Sequence, residues 1–196
     1  MQNKRKLATP QAVKTRAPAL AHDVSAIAAF KTIAATLLTQ IQANRQGVIE
    51  GRDPEYLHQM RVAVRRLRSL CGDYKKVLPK AVLHSFVADL RWLGRAMGPA
   101  RDTDVFVTEI WPRLRAALNE DPLLAYLDAQ WASQRQASAA KVRRALAARR
   151  YRRFMLGFKQ QLGDVWYADA SVRHQSAQAW PHTQTIRRHT TARTAY

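Results

Sequence analysis

The stretch from Glu55 to Pro79, EYLHQMRVAVRRLRSLCGDYKKVLP, separates into two faces when wound at about 100° per residue. Met60, Val64, Leu67, Cys71, Tyr74 and Leu78 recur at steps of three and four and make an apolar stripe. His58, Arg61, Arg65, Arg68 and Gly72 follow the same steps on the other side, with Arg66, Lys75 and Lys76 on the flanks. Pro54 and Pro79 punctuate the two ends of this helix. A solvated helix gains from Glu and Lys one turn apart. This one stacks arginine over arginine, with Asp73 alone interrupting the basic side. Such a face repels itself unless something anionic lies on it.

The whole chain is built in the same manner. Its 196 residues are 47% hydrophobic, enough for one domain with a sizeable core or for two small helical bundles. With 7 Gly and 8 Pro among abundant Ala, Leu, Arg and Gln, the composition is helical. The 33 Lys and Arg outweigh the 14 Asp and Glu, for a net charge of +19. That balance speaks of partners: nucleic acid, another polyanion or an anionic membrane surface. One cysteine, Cys71, excludes a disulfide framework and a Cys-based zinc site, and its place on the apolar stripe reads as a small buried hydrophobe. Leu7-Ala8-Thr9-Pro10 after the basic N-terminus is no signal-peptide core, and no apolar run approaches the ~20 residues of a membrane span. The expectation is a cytoplasmic protein with no membrane span.

Residues 1–21, with five basic residues, no acids and Pro10 and Pro18, read as a flexible basic leader. A first helix is expected over about 23–45, capped by Asp23 or Ser25, with Ile27, Phe30, Ala34, Leu37 and Ile41 as its stripe. After the basic helix comes a third over 80–97, with Val82, Phe86, Leu90, Leu93 and Met97 on its apolar side and Gly98-Pro99 ending it. A fourth starts at Asp102 or Thr103 and carries Val105, Phe106, Ile110, Leu114 and Leu118, with a kink at Pro112. These joins predict an all-α fold, an antiparallel four-helix bundle over about 23–120. A second, incomplete helical unit over 121–167 follows, and from 168 to 196 the apolar period collapses into an irregular or disordered tail.

For chemistry, guanidinium forks grip phosphate oxygens bidentately and lysines act as mobile point charges. Arginines one turn apart stand ~5–6 Å from each other, so they can hold successive units of a linear phosphate polymer. Arg91, Arg95 and Arg101 add to the basic side beyond the central helix. His58 reads as a donor within that face, since neither a nucleophile nor a paired carboxylate stands at fixed spacing to it. Asp102 and Asp104 read as caps and dipole partners, not as metal ligands, and no cofactor is implied. An enzyme acting on phosphoanhydrides would lack the carboxylates that hold Mg²⁺. Single-strand binders interleave exposed aromatics with basic residues; the His58 face has none, so a phosphate-only ligand leads and nucleic-acid backbone is the second reading.

The strings His58-Gln59-Met60-Arg61-Val62-Ala63-Val64-Arg65-Arg66-Leu67-Arg68-Ser69, Leu90-Arg91-Trp92-Leu93-Gly94 and Arg101-Asp102-Thr103-Asp104-Val105 resemble the CHAD domain, the α-helical domain named for its histidine. The resemblance is close over about 23–120 and looser to about 166. It implies two similar four-helix units around a basic cavity that binds inorganic polyphosphate, no catalytic activity, and frequent fusion to a triphosphate-tunnel (CYTH) domain. It places His58, Arg61, Arg65, Arg66 and Arg68 on the family's signature helix, with Lys75, Lys76, Arg91 and Arg95 following by basic character and location, and Lys31, Arg150 and Arg153 further behind. Two departures stand out: no triphosphate-tunnel pattern in residues 1–22, and no second basic helix in 168–196. The expectation is a truncated or frame-shifted chain whose second bundle is incomplete, which a homo-oligomer of two chains would restore. Association with polyphosphate granules is the localisation that this ligand suggests.

Overall fold

A computed structural model describes residues 11–118 and 121–163, and all regular structure among them is helical. The order is α1 (Ala26–Glu50), α2 (Pro54–Asp73), α3 (Lys80–Val105), a π turn (Phe106–Ile110), α4 (Trp111–Ala117), α5 (Leu123–Ala147) and α6 (Arg149–Gly163). The chain divides into two compact units, Met1–Lys159 and Gln160–Tyr196; only residues 160–163 of the second are described. The expected tail over 168–196 therefore lies outside the described residues.

The ends of α1 and α2 obey local chemistry. Ser25 accepts from the Ala28 N–H as N-cap of α1, and Asp53 accepts from the Glu55 N–H ahead of Pro54 in α2. Gly51, in the left-handed region at φ 65°, closes α1, and the next amide, Arg52 N–H, bonds the Gly47 carbonyl at 3.1 Å.

α1, α2 and α3 pack in sequence, and α5 lies along α3 and reaches α1. Ala34, Ile41, Met60, Leu67, Leu90, Leu93 and Met97 are fully shielded from solvent. By length and composition α1 is apolar enough to cross a membrane, which the sequence reading did not anticipate. Here it is a core helix, burying Phe30, Leu37 and Leu38.

That core has a polar seam. Gln40 donates to the Gln59 carbonyl at 3.0 Å, and Asn44 donates to the Val13 carbonyl at 2.8 Å while accepting from the Val13 N–H at 2.9 Å. Thr15 Oγ1 donates to Gln40 Oε1 at 2.6 Å. Gln40 and Asn44 are both 0% exposed, so each buried amide finds partners in the leader or the next helix. Part of the leader is thereby tethered along α1, a contact its composition does not announce.

The third and fourth expected helices form one rod. Gly98-Pro99 does not end α3, which runs on to Val105. Pro99 removes one main-chain bond, the one to the Arg95 carbonyl, and the Thr103 hydroxyl donates to the Pro99 carbonyl at 2.8 Å one turn later. Asp102 and Thr103 therefore lie inside a helix and cap nothing. Asp104, 8% exposed, instead accepts from Arg135 Nε at 2.7 Å and ties α3 to α5. The irregularity expected at Pro112 is a π turn just before it, where the Trp111 N–H reaches back to the Phe106 carbonyl. Phe106 packs on Trp131, ring centroids 4.2 Å apart. Trp111 Nε1 donates to Asp128 at 2.6 Å and, with Arg115, holds that carboxyl below its ordinary range. Ile110, Leu114 and Leu118, expected to face a core, are 44–52% exposed.

α6 joins the rod through its first turn and its apolar face. Arg150 Nε donates to Asp89 at 2.6 Å, and the guanidinium lies 4.8 Å from the Trp92 ring centroid. Phe158 stacks on Phe86 at 4.2 Å.

The packing of α1 on α2 can be probed at two positions. A methyl at Gly47 would overlap the Tyr56 ring where the helices meet. Gly47→Ala should therefore cost about 1–3 kcal/mol in urea unfolding despite its better helix propensity. Burial also pushes the Cys71 thiol from 9.0 up to about 12, so its thiolate is scarce in the folded protein at pH 8. Thiol reagents should label Cys71 only after unfolding. Because the raised folded value favours the neutral thiol, its contribution to stability is full below pH 9 and lost as pH rises toward 12.

Candidate anion-binding groove

α2 and α3 leave a groove of about 360 Å³ between them. From α2 it is lined by Arg61, Arg65 and Arg68 with Val64; from α3, by Arg91 and Arg95 with Leu90 and Gly94. The spacing follows from helix geometry: with a rise of about 1.5 Å per residue, steps of three or four advance about 5–6 Å on one face. The three arginines of α2 thus form one row and the two of α3 another. Burial separates rim from floor. Val64 and Leu90 are 3% and 0% exposed, whereas Arg65, Arg68, Arg91 and Arg95 are exposed and Arg61 is half-buried.

Gly94 keeps the floor open. A Cβ built there meets nothing within 4 Å, so the space above it belongs to the groove and not to a packed neighbour.

The electrostatics are one-sided. Among the described residues the ion pairs join Arg52 to Glu50, Arg115 to Asp128, Arg135 to Asp104 and Arg150 to Asp89. None involves a groove arginine, and among the same residues no hydrogen bond occupies these guanidiniums. Five fork-shaped donors converge with no acceptor from the described protein. A ligand that satisfies them has closely spaced anionic oxygens and needs no base to stack. Among the described residues no group of three His, Cys, Asp or Glu side chains could hold a metal ion.

The expected residues separate accordingly. Arg61, Arg65, Arg68, Arg91 and Arg95 line the groove. His58, half-buried one turn before Arg61, belongs to the same face but not to the lining. Arg66 is exposed beside the row, and Lys75 and Lys76 are exposed in the turn beyond α2. Arg101, half-buried on α3, lies outside the lining as well. Val64, Leu90 and Gly94 were not anticipated as site residues. Val64 and Leu90 read as ordinary core positions, and the one signal for Gly94 is its place between Arg91 and Arg95 on the same helix.

The CHAD domain family is matched over residues 32–195. The chain is also similar to the crystal structure of the CHAD domain from the plant Ricinus communis, with a TM-score of 0.67 and 37% sequence identity. The likeness covers 78% of this chain and 50% of that one, so the chain spans about half the length of the solved domain. No curated protein matches it.

Ligand linkage gives a direct check on the groove. Tripolyphosphate added at fixed ionic strength should raise the melting temperature, since binding to the folded state alone adds about 2.7 kcal/mol at 100 times Kd. The rise should shrink in Arg65→Ala, as followed by circular dichroism.

Proposed function

The chain belongs to the CHAD domain family, and from that premise we propose that it binds inorganic polyphosphate in the α2–α3 groove as a non-catalytic module. The observation that carries this reading is the set of five guanidiniums, unpaired among the described residues, around one open groove. Polyphosphate offers anionic oxygens at every unit and nothing else to recognise. Two rows of arginines can engage successive units from both sides, so modest contacts add up as a multivalent array. An apolar floor suits a ligand held by its charged edges, because floor groups compete for no hydrogen bond.

His58, Arg66, Lys75, Lys76 and Arg101 would act at the margins, drawing a long chain toward the groove and contacting its overhang. With no nucleophile or acid–base pair among the groove residues, the site captures and does not cleave. Its cellular counterpart would be recruitment of this chain, or of a protein joined to it, to polyphosphate granules in the cytoplasm.

The test is a binding isotherm for long-chain polyphosphate with two kinds of variant. Replacing Arg61, Arg65 and Arg68 by Ala should lower affinity at least 100-fold, since hydrogen bonds to charged groups contribute about 1.5–3 kcal/mol each. Helical content should hold, because Ala is the better helix former. Gly94→Leu keeps every charge and fills the groove, and should lower affinity about 10-fold or more. Full binding by both variants would place the ligand elsewhere.

A further inference from the structure

A second basic surface lies on α5 and α6, apart from the groove lining. From Ala129 to Gly163 the chain holds no acid. Of its basic residues, Arg135 and Arg150 are paired to Asp104 and Asp89. Lys141, Arg143, Arg144, Arg149, Arg152 and Arg153 are exposed, and among the described residues none of their side chains is in an ion pair or hydrogen bond. Lys159, also exposed, donates to Gln42 at 3.1 Å and to no other described residue.

The arrangement costs the fold something. Arg149, Arg152 and Arg153 crowd the first turns of α6, where the helix dipole is positive and acids are favoured. They form one outer face with Leu156, opposite the buried Tyr151, Phe154, Met155 and Phe158. At Ala148 the backbone turns extended, φ −64° and ψ 148°, so the end of α5, with Arg144 in its last turn and Arg143 just before it, meets the first turn of α6 at an elbow. The rise from Arg149 to Lys159 is about 15 Å.

We infer that this elbow is a separate binding surface for the phosphate backbone of duplex nucleic acid. Three observations select that ligand. The basic side chains are exposed and none of them lines the α2–α3 groove, which suits a broad, stiff polyanion more than a thin chain. No aromatic of Ala129–Gly163 is free to stack on bases: Trp131 packs on Phe106, and Tyr151, Phe154 and Phe158 are buried, while the exposed Tyr126 lies about 25 Å of helix before Arg143, so the elbow offers single strands no stacking platform. The apolar face of α6 is spent in the core, leaving Leu156 alone to enter a lipid surface, which is too little for an interfacial helix. Contacts to phosphate alone carry no base sequence, so binding is independent of sequence and steeply dependent on salt.

The test uses the full chain, a fluorescein-labelled 20-base-pair duplex, long-chain polyphosphate and phosphatidylserine vesicles. Wild type is compared with Arg149→Gln/Arg152→Gln/Arg153→Gln, with Arg143→Gln/Arg144→Gln, and with the Arg61, Arg65, Arg68 alanine variant. Each phosphate contact contributes about 0.9 to the slope of log K against log salt, so the triple elbow variant should flatten the duplex slope by about 2.7. It should lose duplex affinity at least 10-fold; the double elbow variant should move the same way by less and leave polyphosphate affinity within about 3-fold. The groove variant should keep duplex affinity and lose polyphosphate. Loss of duplex binding in the groove variant alone, equal loss in all three, no duplex binding by wild type at 50 mM salt, or vesicle binding in its place would each overturn the proposal. Circular dichroism of each variant separates lost contacts from lost fold. The outcome is independent of the groove reading, which stands or falls on the polyphosphate arm.

Discussion

Five like charges facing one another across a groove are the constraint that the rest of the bundle serves. Two guanidiniums 5–6 Å apart repel by somewhat under 1 kcal/mol in water and by about 3 kcal/mol at an effective dielectric of 20. The groove therefore sits at the surface, where water and salt keep each pair near the low figure. Against it stand the residues directly behind: Met60, Leu67, Leu90, Leu93 and Met97, all fully shielded. Each contributes about 1.5–3 kcal/mol of burial. The core wins by a wide margin, and α2 and α3 hold a charge arrangement that neither would adopt for its own sake.

The acids are as informative as the arginines. Asp89 and Asp104 sit on the same helix as Arg91 and Arg95, yet both accept from arginines of later helices, Arg150 and Arg135. Neither partners a groove arginine. Those two carboxylates are spent on docking α5 and α6 to the rod. One helix thus offers Arg91 and Arg95 to the groove and Asp89 and Asp104 to its neighbours.

The same period explains what was legible. Stripes at steps of three and four on residues 60–78 and 90–97 identify the core and, by opposition, the arginine row of α2; Arg61, Arg65 and Arg68 could be read from spacing, whereas Arg91 and Arg95 followed by basic character and location. Gly98-Pro99 misleads because proline forbids only one main-chain bond, and packing along both ends of α3 outweighs that loss. Ile110, Leu114 and Leu118 keep their helical spacing yet stay exposed, since period shows that a stripe exists and not that a partner covers it. Gln40 and Asn44 were hidden for the opposite reason: their partners lie 19 to 31 residues away, and a bond from a side-chain amide to a distant carbonyl leaves no mark in a hydropathy pattern.

Charge alone makes a protein adhesive, and what would turn adhesion into recognition here is the floor. Val64 and Leu90 supply a base that offers no polar side-chain group, and Gly94 supplies room. Between them they fix how close a ligand can come to both arginine rows at once. On the proposed reading, a thin polyanion enters between the rows and is held from two sides, whereas a duplex, broad and rigid along its axis, would meet only the rim. The elbow of α5 and α6 offers the complementary case, exposed cations outside that lining, where on the inferred reading width is no obstacle. The two basic surfaces thus share their charge and differ in setting: one lines a groove over Val64 and Leu90, and the other stands exposed outside that lining.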